Sequence, residues 1–286
     1  MAEPIMRRAN GDGVEIQLAI WEGAGKNILC VHGLTANSRC WDVIAQAIIP
    51  RHRILALDLR GRGFSGKPSS NYSVEYHCRD ITALLDDLAL NQIVLMGHSL
   101  GAFISLAFAA LKPERVGQVI LVDGGGKLTQ AQTAKVFSGI KPSLDRLGQV
   151  FPSFEKYVEA MKKAPFLQPW SRAMETYFQY EVEEVKGGVR SRVQPAHIQE
   201  EIANLVKMDA AQLYPEVRCP VLILRATEGM LDKDDILLPE DVVERMVGGI
   251  HDVKRVDLEG TNHYTVLFQE NEVRDRAILR FLEQNA

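Results

Sequence analysis

The sequence predicts an α/β fold, in which a mostly parallel sheet is flanked by helices and a helical unit is inserted near the middle of the chain. Short apolar runs alternate with longer amphipathic stretches over the first 125 residues, and strand signals return after residue 214. Between them, residues 127–214 hold five prolines among helix-like stretches and no convincing strand. We therefore expect a core domain of residues 1–126 and 215–286, with residues 127–214 as an inserted helical domain.

Apolar periodicity predicts the elements of the first half. Short apolar runs predict strands near residues 14–21, 27–31, 54–57, 93–96 and 119–122. Residues 72–90 predict a helix, because Ser73 can cap its N-terminus and apolar side chains recur at helical spacing. Residues 99–111 predict a second helix, which ends before Pro113.

The second half of the chain carries fewer strand signals and many aromatic residues. We expect strands near residues 221–224 and 253–258 and an amphipathic helix near residues 273–282. Ten of the twenty aromatic residues of the chain lie between Phe137 and Tyr214, inside the inserted unit. That concentration suits either the core of a small domain or the wall of an apolar pocket.

Composition favours a small-molecule substrate. The 33 lysines and arginines against 37 acidic residues give a net charge of −4, without a basic stripe, which disfavours nucleic acid. No apolar run approaches the roughly 18 residues of a membrane span, and the first residues lack the apolar segment of a signal peptide, so we expect a cytoplasmic monomer or homodimer. The widely spaced cysteines predict reduced thiols, and we expect neither a metal nor a cofactor.

The strongest local motif is Gly-His-Ser-Leu-Gly at residues 97–101, between an apolar strand and an apolar helix. Its glycines permit a sharp strand-to-helix turn in which larger side chains would clash, and the turn presents the Ser99 hydroxyl at a helix N-terminus. The helix dipole and the amide of Leu100 then face any oxyanion formed at this serine. Ser99 is therefore the candidate nucleophile, against the plainer interpretation that it only caps the helix.

A second motif, Val-His-Gly-Leu at residues 31–34, directly follows an apolar strand. An acyl-transfer site needs two donors aimed at the developing oxyanion, and a His-Gly turn at a strand end can supply the second from the amide of Leu34. Gly33 permits the close approach of the backbone that this requires. We interpret His32 as a scaffold residue and not as a base.

A serine hydroxyl is a weak nucleophile at neutral pH, so the site needs a general base. Of the seven histidines, His263 has the suitable setting, because it follows a predicted strand on a loop at the strand's carboxyl end, where the sites of open α/β sheets collect. By contrast, His52 and His251 precede predicted strands, His77 lies within a predicted helix, and His197 belongs to the inserted unit.

Four segments together resemble the α/β-hydrolase family: HGL at residues 32–34, LDLRGRGFSGKP at 57–68, GHSLG at 97–101 and NHY at 262–264. The resemblance covers nearly the whole chain and puts residues 127–214 in the place of the family's helical cap. It implies an eight-stranded, mostly parallel sheet, with Ser99 as the nucleophile and His263 as the base. It also implies an oxyanion hole formed by the amides of Leu34 and Leu100.

The acid of the family's catalytic triad does not stand at its usual place in this sequence. The strand near residues 221–224 is followed by Arg-Ala-Thr-Glu-Gly, where most relatives have a Gly-x-x-Asp turn. The family's other location is the end of the strand after the nucleophile helix, and there this chain has Asp123. We predict Asp123 as the acid, because the sheet would fix it beside the strand of Ser99. The alternatives on the later loop are Glu228, Asp232 and Asp235.

The nucleophile restricts the reaction. A serine argues against the family members that use a carboxylate nucleophile, so acyl transfer remains. The primary prediction is a carboxylesterase-like serine hydrolase that cleaves esters or lactones of small to medium apolar substrates. One alternative is hydrolysis of carbon–carbon bonds in ring-cleavage products, although relatives of that kind often have Trp where this chain has Tyr264. Another is a receptor-like member that binds a ligand without turning it over.

Overall fold

An eight-stranded sheet forms the centre of the computed structural model, which describes residues 2–284. The strands of the described chain are β1 (Ile5–Asn10), β2 (Glu15–Trp21), β3 (Asn27–Val31), β4 (Arg53–Leu57), β5 (Ile93–His98), β6 (Val116–Val122), β7 (Val182–Val185), β8 (Gly188–Ser191), β9 (Val221–Ala226) and β10 (Val253–Leu258). The order across the sheet is β1-β2-β4-β3-β5-β6-β9-β10. Within this eight-stranded sheet of the described residues, β2 pairs antiparallel with β1 and β4 and all other neighbouring strands are parallel, so the expected mostly parallel sheet of eight strands is confirmed.

Helices cover both faces of the sheet. They are α1 (Asp42–Ile48), α2 (Val74–Asp87), α3 (Leu100–Leu111), α4 (Gln130–Asp145), α5 (Phe154–Met161), α6 (Arg172–Glu181), α7 (Pro195–Leu205), α8 (Glu240–Gly249), α9 (Thr265–Phe268) and α10 (Glu272–Glu283). Buried side chains of α1 and α10 pack in one apolar cluster, and those of α2, α3 and α8 pack in another. Helices α4 to α7 lie in the segment between β6 and β9, and side chains of α4, α5 and α6 extend the first cluster.

The central strands are apolar on both sides because both faces of the sheet are covered. On β3, Ile28 and Cys30 belong to the cluster with α1 and α10, whereas Leu29 and Val31 belong to the other cluster. Successive side chains of a strand point to opposite faces, so a strand covered on both faces has no position that favours a polar residue. This is why β3 appears in the sequence as an uninterrupted apolar run.

The structure corrects the expectation that residues 127–214 contain no strand. Strands β7 and β8 form a two-stranded antiparallel hairpin. Its turn places Gly187 at φ 97° and Gly188 at φ 142°, a range that glycine adopts without steric cost. Each strand has four residues and β7 contains two glutamates, so the apolar signal is too short to indicate a strand.

The carboxyl ends of the parallel strands meet at one edge of the sheet, and this edge positions the site. Strands β3, β5, β6, β9 and β10 are consecutive parallel neighbours. The loops that follow them therefore gather at the same edge, where ligand sites of open α/β sheets form. Within residues 2–284, no helix combines the length and the apolar character needed to cross a membrane.

Candidate active site

Ser99 lies at the turn between β5 and α3 in a strained backbone conformation, with φ 54° and ψ −118°. Residues other than glycine seldom adopt positive φ, and those that do cluster at functional sites. Both flanking glycines are required here. A Cβ on Gly101 would collide with the carbonyl oxygen of Val31, and a Cβ on Gly97 would collide with the carbonyl oxygen of Gly101. The turn thus holds Ser99 at the edge of a cavity that it lines.

His263 lies on the loop after β10, and its Nδ1 is 2.8 Å from Oδ2 of Asp123. Both side chains are buried. Asp123 directly follows β6, and its Oδ1 accepts a hydrogen bond from the amide of Ala226 at 3.2 Å. With a carboxylate at Nδ1, Nε2 of His263 is the ring nitrogen available for proton transfer. His263 and Ser99 line the same cavity, so the structure brings together the residues expected as nucleophile, base and acid.

The three alternative acids have other surroundings. Asp235 is buried, and its carboxylate accepts hydrogen bonds from three backbone amides of its own loop, those of Met230, Leu231 and Asp232. This carboxylate therefore organises the loop after β9. Glu228 and Asp232 have exposed side chains. The carboxylate that the structure pairs with His263 is that of Asp123.

Two backbone amides border Ser99. Leu100 is the first residue of α3, where an amide has no partner within the helix. Leu34 follows Gly33, and a Cβ on Gly33 would lie 3.1 Å from the Cβ of Ser99, so glycine allows this loop to approach the nucleophile. Leu34, Ser99 and Leu100 line one cavity together. These amides are the candidate oxyanion hole.

His32 orients the peptide that carries the Leu34 amide. The amide of Leu59 donates to Nε2 of His32 at 3.0 Å, so Nδ1 carries the proton and donates to the carbonyl of Gly33 at 2.7 Å. Burial lowers the pKa of His32 to about 3, which keeps the ring neutral. The carbonyl and the N–H of a trans peptide point in opposite directions, so fixing the Gly33 carbonyl also fixes the direction of the Leu34 N–H. This is the scaffold position that we expect for His32.

His98 is a residue of the site that sequence reasoning missed. Its Nε2 donates to the backbone carbonyl of His263 at 2.9 Å, and the two rings lie 4.4 Å apart between centroids. Burial, with the nearby His263, lowers the pKa of His98 well below its ordinary value, so its ring is neutral. These contacts join the nucleophile turn to the loop that carries His263. The signal in the sequence was its place directly before Ser99 in the glycine-bracketed motif.

The cavity beside Ser99 and His263, termed the first cavity, has a volume of about 300 Å³. The segment 127–214 supplies much of its largely apolar wall, including Ile140, Leu144, Phe166, Tyr177 and Phe178. Trp170 stacks on Phe178, with ring centroids 5.4 Å apart, and so supports that wall residue. His197 stacks instead on Tyr72, with ring centroids 4.3 Å apart. The aromatic concentration in this segment thus forms part of the cavity wall and its support.

A buried ion pair contributes to the same wall. Arg146 lines the first cavity, and its Nη2 lies 2.7 Å from Oε1 of Glu181. Its Nε also donates to the hydroxyl of Tyr157 at 3.1 Å. A buried charge is stable only when it is paired and hydrogen-bonded, and Glu181 provides that partner. The charge of the guanidinium is therefore balanced within the protein by Glu181.

Among residues 2–284, Cys40 is the one cysteine that lines the first cavity. All four cysteines are free, and Cys30, Cys40 and Cys78 are buried. Burial raises the pKa of the Cys30 and Cys40 thiols well above the ordinary value, which makes them poor nucleophiles. Residues 2–284 contain no group of three or more His, Cys, Asp or Glu side chains arranged to hold a metal ion.

Comparison with known proteins places this chain in a family. A family model described as alpha/beta hydrolase fold matches residues 26–269. The 2-(acetamidomethylene)succinate hydrolase of Mesorhizobium japonicum is 28% identical in an alignment of 246 residues that covers 84% of this chain and 86% of that protein. The putative carbamate hydrolase RutD of Variovorax paradoxus is 28% identical in an alignment of 260 residues that covers 90% of this chain and 92% of that protein.

Solved structures show the same fold. The crystal structure of E-2-(acetamidomethylene)succinate hydrolase superposes with a TM-score of 0.81 at 24% identity, over 98% of this chain and 99% of that chain. The N-formylmaleamic acid deformylase of Pseudomonas putida superposes with a TM-score of 0.71 at 15% identity, over 96% of this chain and 100% of that chain. At these identities the likeness concerns the fold.

Proposed function

Since this chain belongs to the alpha/beta hydrolase fold family, we propose that it is a serine hydrolase that cleaves an acyl–nitrogen bond in a small ring-cleavage product. The observation that carries this proposal is the 2.8 Å contact between Nδ1 of His263 and Asp123, beside a strained Ser99 that lines the same cavity. In this proposal residues 127–214 are the cap that closes the site, and the core supplies the reacting groups.

The bond type follows from the relatives, and it changes the primary prediction made from the sequence. The relatives named above act on an acetamidomethylene compound, a carbamate and an N-formyl compound. In each of these groups a carbonyl carbon is bonded to nitrogen. The relatives therefore favour the alternative prediction, a carbon–carbon bond hydrolase of ring-cleavage products, over ester hydrolysis, and our proposal keeps that substrate class but changes the bond to an acyl–nitrogen bond. Cleavage of a carbon–carbon bond in such a product is the second candidate, because the same nucleophile and base can serve a leaving carbon.

The mechanism begins with proton transfer from Ser99 to Nε2 of His263 as Oγ attacks the carbonyl carbon. The oxygen of the tetrahedral intermediate becomes negatively charged and accepts hydrogen bonds from the amides of Leu34 and Leu100. The carbon–nitrogen bond then breaks, and His263 returns the proton to the leaving nitrogen. Water then attacks the acyl-enzyme and gives one proton to His263, which passes it to Oγ of Ser99 as the acyl–oxygen bond breaks; the other hydrogen of the water leaves with the carboxylic acid. Asp123 holds the proton-bearing Nδ1 and stabilises the imidazolium.

Matched substrates test the bond type. The wild-type protein is assayed on an anilide, an N-acyl enamine, an ester and a vinylogous diketone, all with the same acyl group, and each rate is divided by the uncatalysed rate. We expect the largest rate enhancement on a nitrogen compound. A larger enhancement on the ester would restore the ester prediction, and one on the diketone would favour carbon–carbon cleavage.

A serine-to-alanine variant tests the nucleophile. Ser99→Ala removes one hydroxyl, so folding should be unchanged while turnover falls on the order of 10⁴-fold or more. Circular dichroism and thermal unfolding check the fold. Residual turnover of a few per cent would contradict the serine mechanism. Tight ligand binding by the wild-type protein, with neither turnover nor a covalent adduct on any substrate, would support the receptor alternative.

A further inference from the structure

A second cavity, of about 570 Å³, also opens onto Ser99. It shares Leu34, Ser99 and Ile140 with the first cavity, so the two cavities meet at the candidate nucleophile. Their walls differ in the groups that matter for catalysis. His263 lines the first cavity, whereas Leu100 lines the second. Ser99 therefore faces one chamber that contains the candidate base and another that does not; of the two candidate oxyanion donors, Leu34 lines both chambers and Leu100 lines the second.

The tetrahedral intermediate assigns a substrate group to each chamber. Its central carbon carries the Ser99 oxygen, the oxyanion, the leaving group and the acyl chain. His263 must protonate the leaving group, which requires a separation of about 3 Å, so the leaving group occupies the first cavity. The oxyanion lies toward the amides of Leu34 and Leu100. We propose that the second cavity binds the acyl group of the substrate, an inference that rests on the proposed function.

The wall of the second cavity indicates the class of acyl group. Its apolar lining comes from α3, α4, α7 and the loop before α8, and includes Phe103, Val136, Phe137, Ile202, Leu205 and Leu237. The lining lysines, Lys127 and Lys207, are exposed, and Lys127 pairs with Asp209. A chamber of about 570 Å³ lies within the usual range for ligand pockets, about 300–1,000 Å³. It suits an uncharged apolar acyl group larger than acetyl or formyl.

Alkylphosphonates with one leaving group test this assignment directly. In a p-nitrophenyl alkylphosphonate, Oγ of Ser99 bonds to phosphorus, p-nitrophenolate leaves, His263 takes the serine proton, and the alkyl chain remains in the acyl position. The second-order rate constant of p-nitrophenolate release is measured for methyl, butyl and octyl chains, and protein mass locates the adduct. We expect this rate constant to rise with chain length in the wild-type protein.

A variant that fills the second cavity should remove that preference. In Ile202→Trp the octyl compound should react about tenfold more slowly than in the wild-type protein, because the larger side chain prevents the burial of about two methylene groups. The rate constant of the methyl compound should change by no more than about twofold. Leu205→Phe should act in the same direction, and it serves where thermal unfolding shows that the tryptophan variant is not folded. Ala164→Leu, in the first cavity, is the matched control and should keep the wild-type order of chain lengths.

Each failure has a separate meaning. If Ser99 is labelled but Ile202→Trp and Leu205→Phe keep the wild-type chain-length order, the acyl assignment is overturned. If Ala164→Leu abolishes the preference instead, the acyl chain binds in the first cavity and the assignment is again overturned. If no phosphonate labels Ser99 in the wild-type protein, the proposed serine mechanism itself fails.

Discussion

The carboxylate of Glu201 on α7 lies 3.0 Å from the guanidinium of Arg62 on the loop after β4, and both side chains are fully buried. Arg62 also donates through Nε to the carbonyl oxygen of Leu34 at 3.1 Å, and Nε2 of His77 lies 2.8 Å from the same oxygen of Glu201. Burial opposes ionisation of Glu201, but the neighbouring His77 and Arg62 lower its pKa to about 2. One carboxylate of segment 127–214 therefore connects that segment to the loop that carries a candidate oxyanion donor.

Glu201→Gln should destabilise the protein strongly. The amide keeps the shape of the side chain but leaves Arg62 as a buried charge without its counter-ion, and breaking a buried pair in this way costs about 3–5 kcal/mol. Chemical unfolding in urea measures the loss. Glu75→Gln is the matched control, because it breaks an ion pair with Arg79 on the exposed surface of α2, where little loss is expected. Equal losses in the two variants would contradict a special role for the buried pair.

Acid should weaken the fold through His32. Its pKa is about 3 in the folded protein against an ordinary value of 6.5, so between these pH values the unfolded chain binds a proton that the folded chain does not. The stability that comes from keeping His32 neutral is fully present above about pH 6.5. As the pH falls toward about 3, the free energy of unfolding should decrease by up to roughly 5 kcal/mol through this residue. The measurement is the free energy of unfolding from pH 7 to pH 4.

Two variants isolate the His32 contribution. His32→Gln removes the titrating ring, so its free energy of unfolding should fall less steeply with decreasing pH than that of the wild-type protein. His251→Gln is the control, because the side chain of His251 is exposed. It should keep the wild-type slope. A wild-type slope in His32→Gln would show that another group causes the acid sensitivity.

The sequence predicted the sheet and the nucleophile turn because both leave a local pattern. Apolar runs mark the covered strands, and the paired glycines at residues 97–101 mark a turn that tolerates no larger residue. Strand β1 left no such pattern, because it lies at the sheet edge with mostly exposed side chains. Helices α1 and α8 are short and were also missed.

The buried ion pairs could not be predicted for a different reason. Arg62 and Glu201 are 139 positions apart in the chain, and no local spacing joins two such residues. Arg146 directly follows α4 and Glu181 is the last residue of α6, 35 positions away. Charged residues usually indicate a solvated surface, so only the packing of these helices against the core reveals that the pairs are buried.

Phe178→Leu should change the preference for the leaving group more than the preference for the acyl group. Phe178 lines the first cavity, which contains His263, so a smaller side chain enlarges the space for a leaving amine. The ratio kcat/KM is measured for small and bulky leaving groups on one acyl group, and for several acyl groups on one leaving group. Phe151→Leu is the control, because Phe151 packs on Tyr157 in the same apolar cluster. Uniform losses over all substrates would indicate that Phe178 only supports the fold.

Converting the buried carboxylates of Asp123 and Asp235 to amides, one at a time, should affect turnover and stability differently. Asp123→Asn keeps the shape of the site, but the amide no longer stabilises the His263 imidazolium and can favour the wrong tautomer. We expect kcat to fall by up to about 10⁴-fold. The free energy of unfolding should change far less, because one oxygen can still accept from the amide of Ala226. Steady-state kinetics and urea unfolding on the same preparations separate the two effects.

Asp235→Asn should show the opposite pattern. The two carboxylate oxygens of Asp235 together accept hydrogen bonds from three backbone amides. In the asparagine variant an NH2 group replaces one of these oxygens, so at least one buried backbone N–H loses its acceptor, at a cost of about 1–3 kcal/mol. Because this loop carboxylate does not contact His263, kcat of the folded fraction should stay near that of the wild-type protein. Glu228→Gln and Asp232→Asn change exposed side chains and should have little effect on either measurement. Normal turnover in Asp123→Asn, with collapse of kcat in one of the other three variants, would move the acid to the loop after β9.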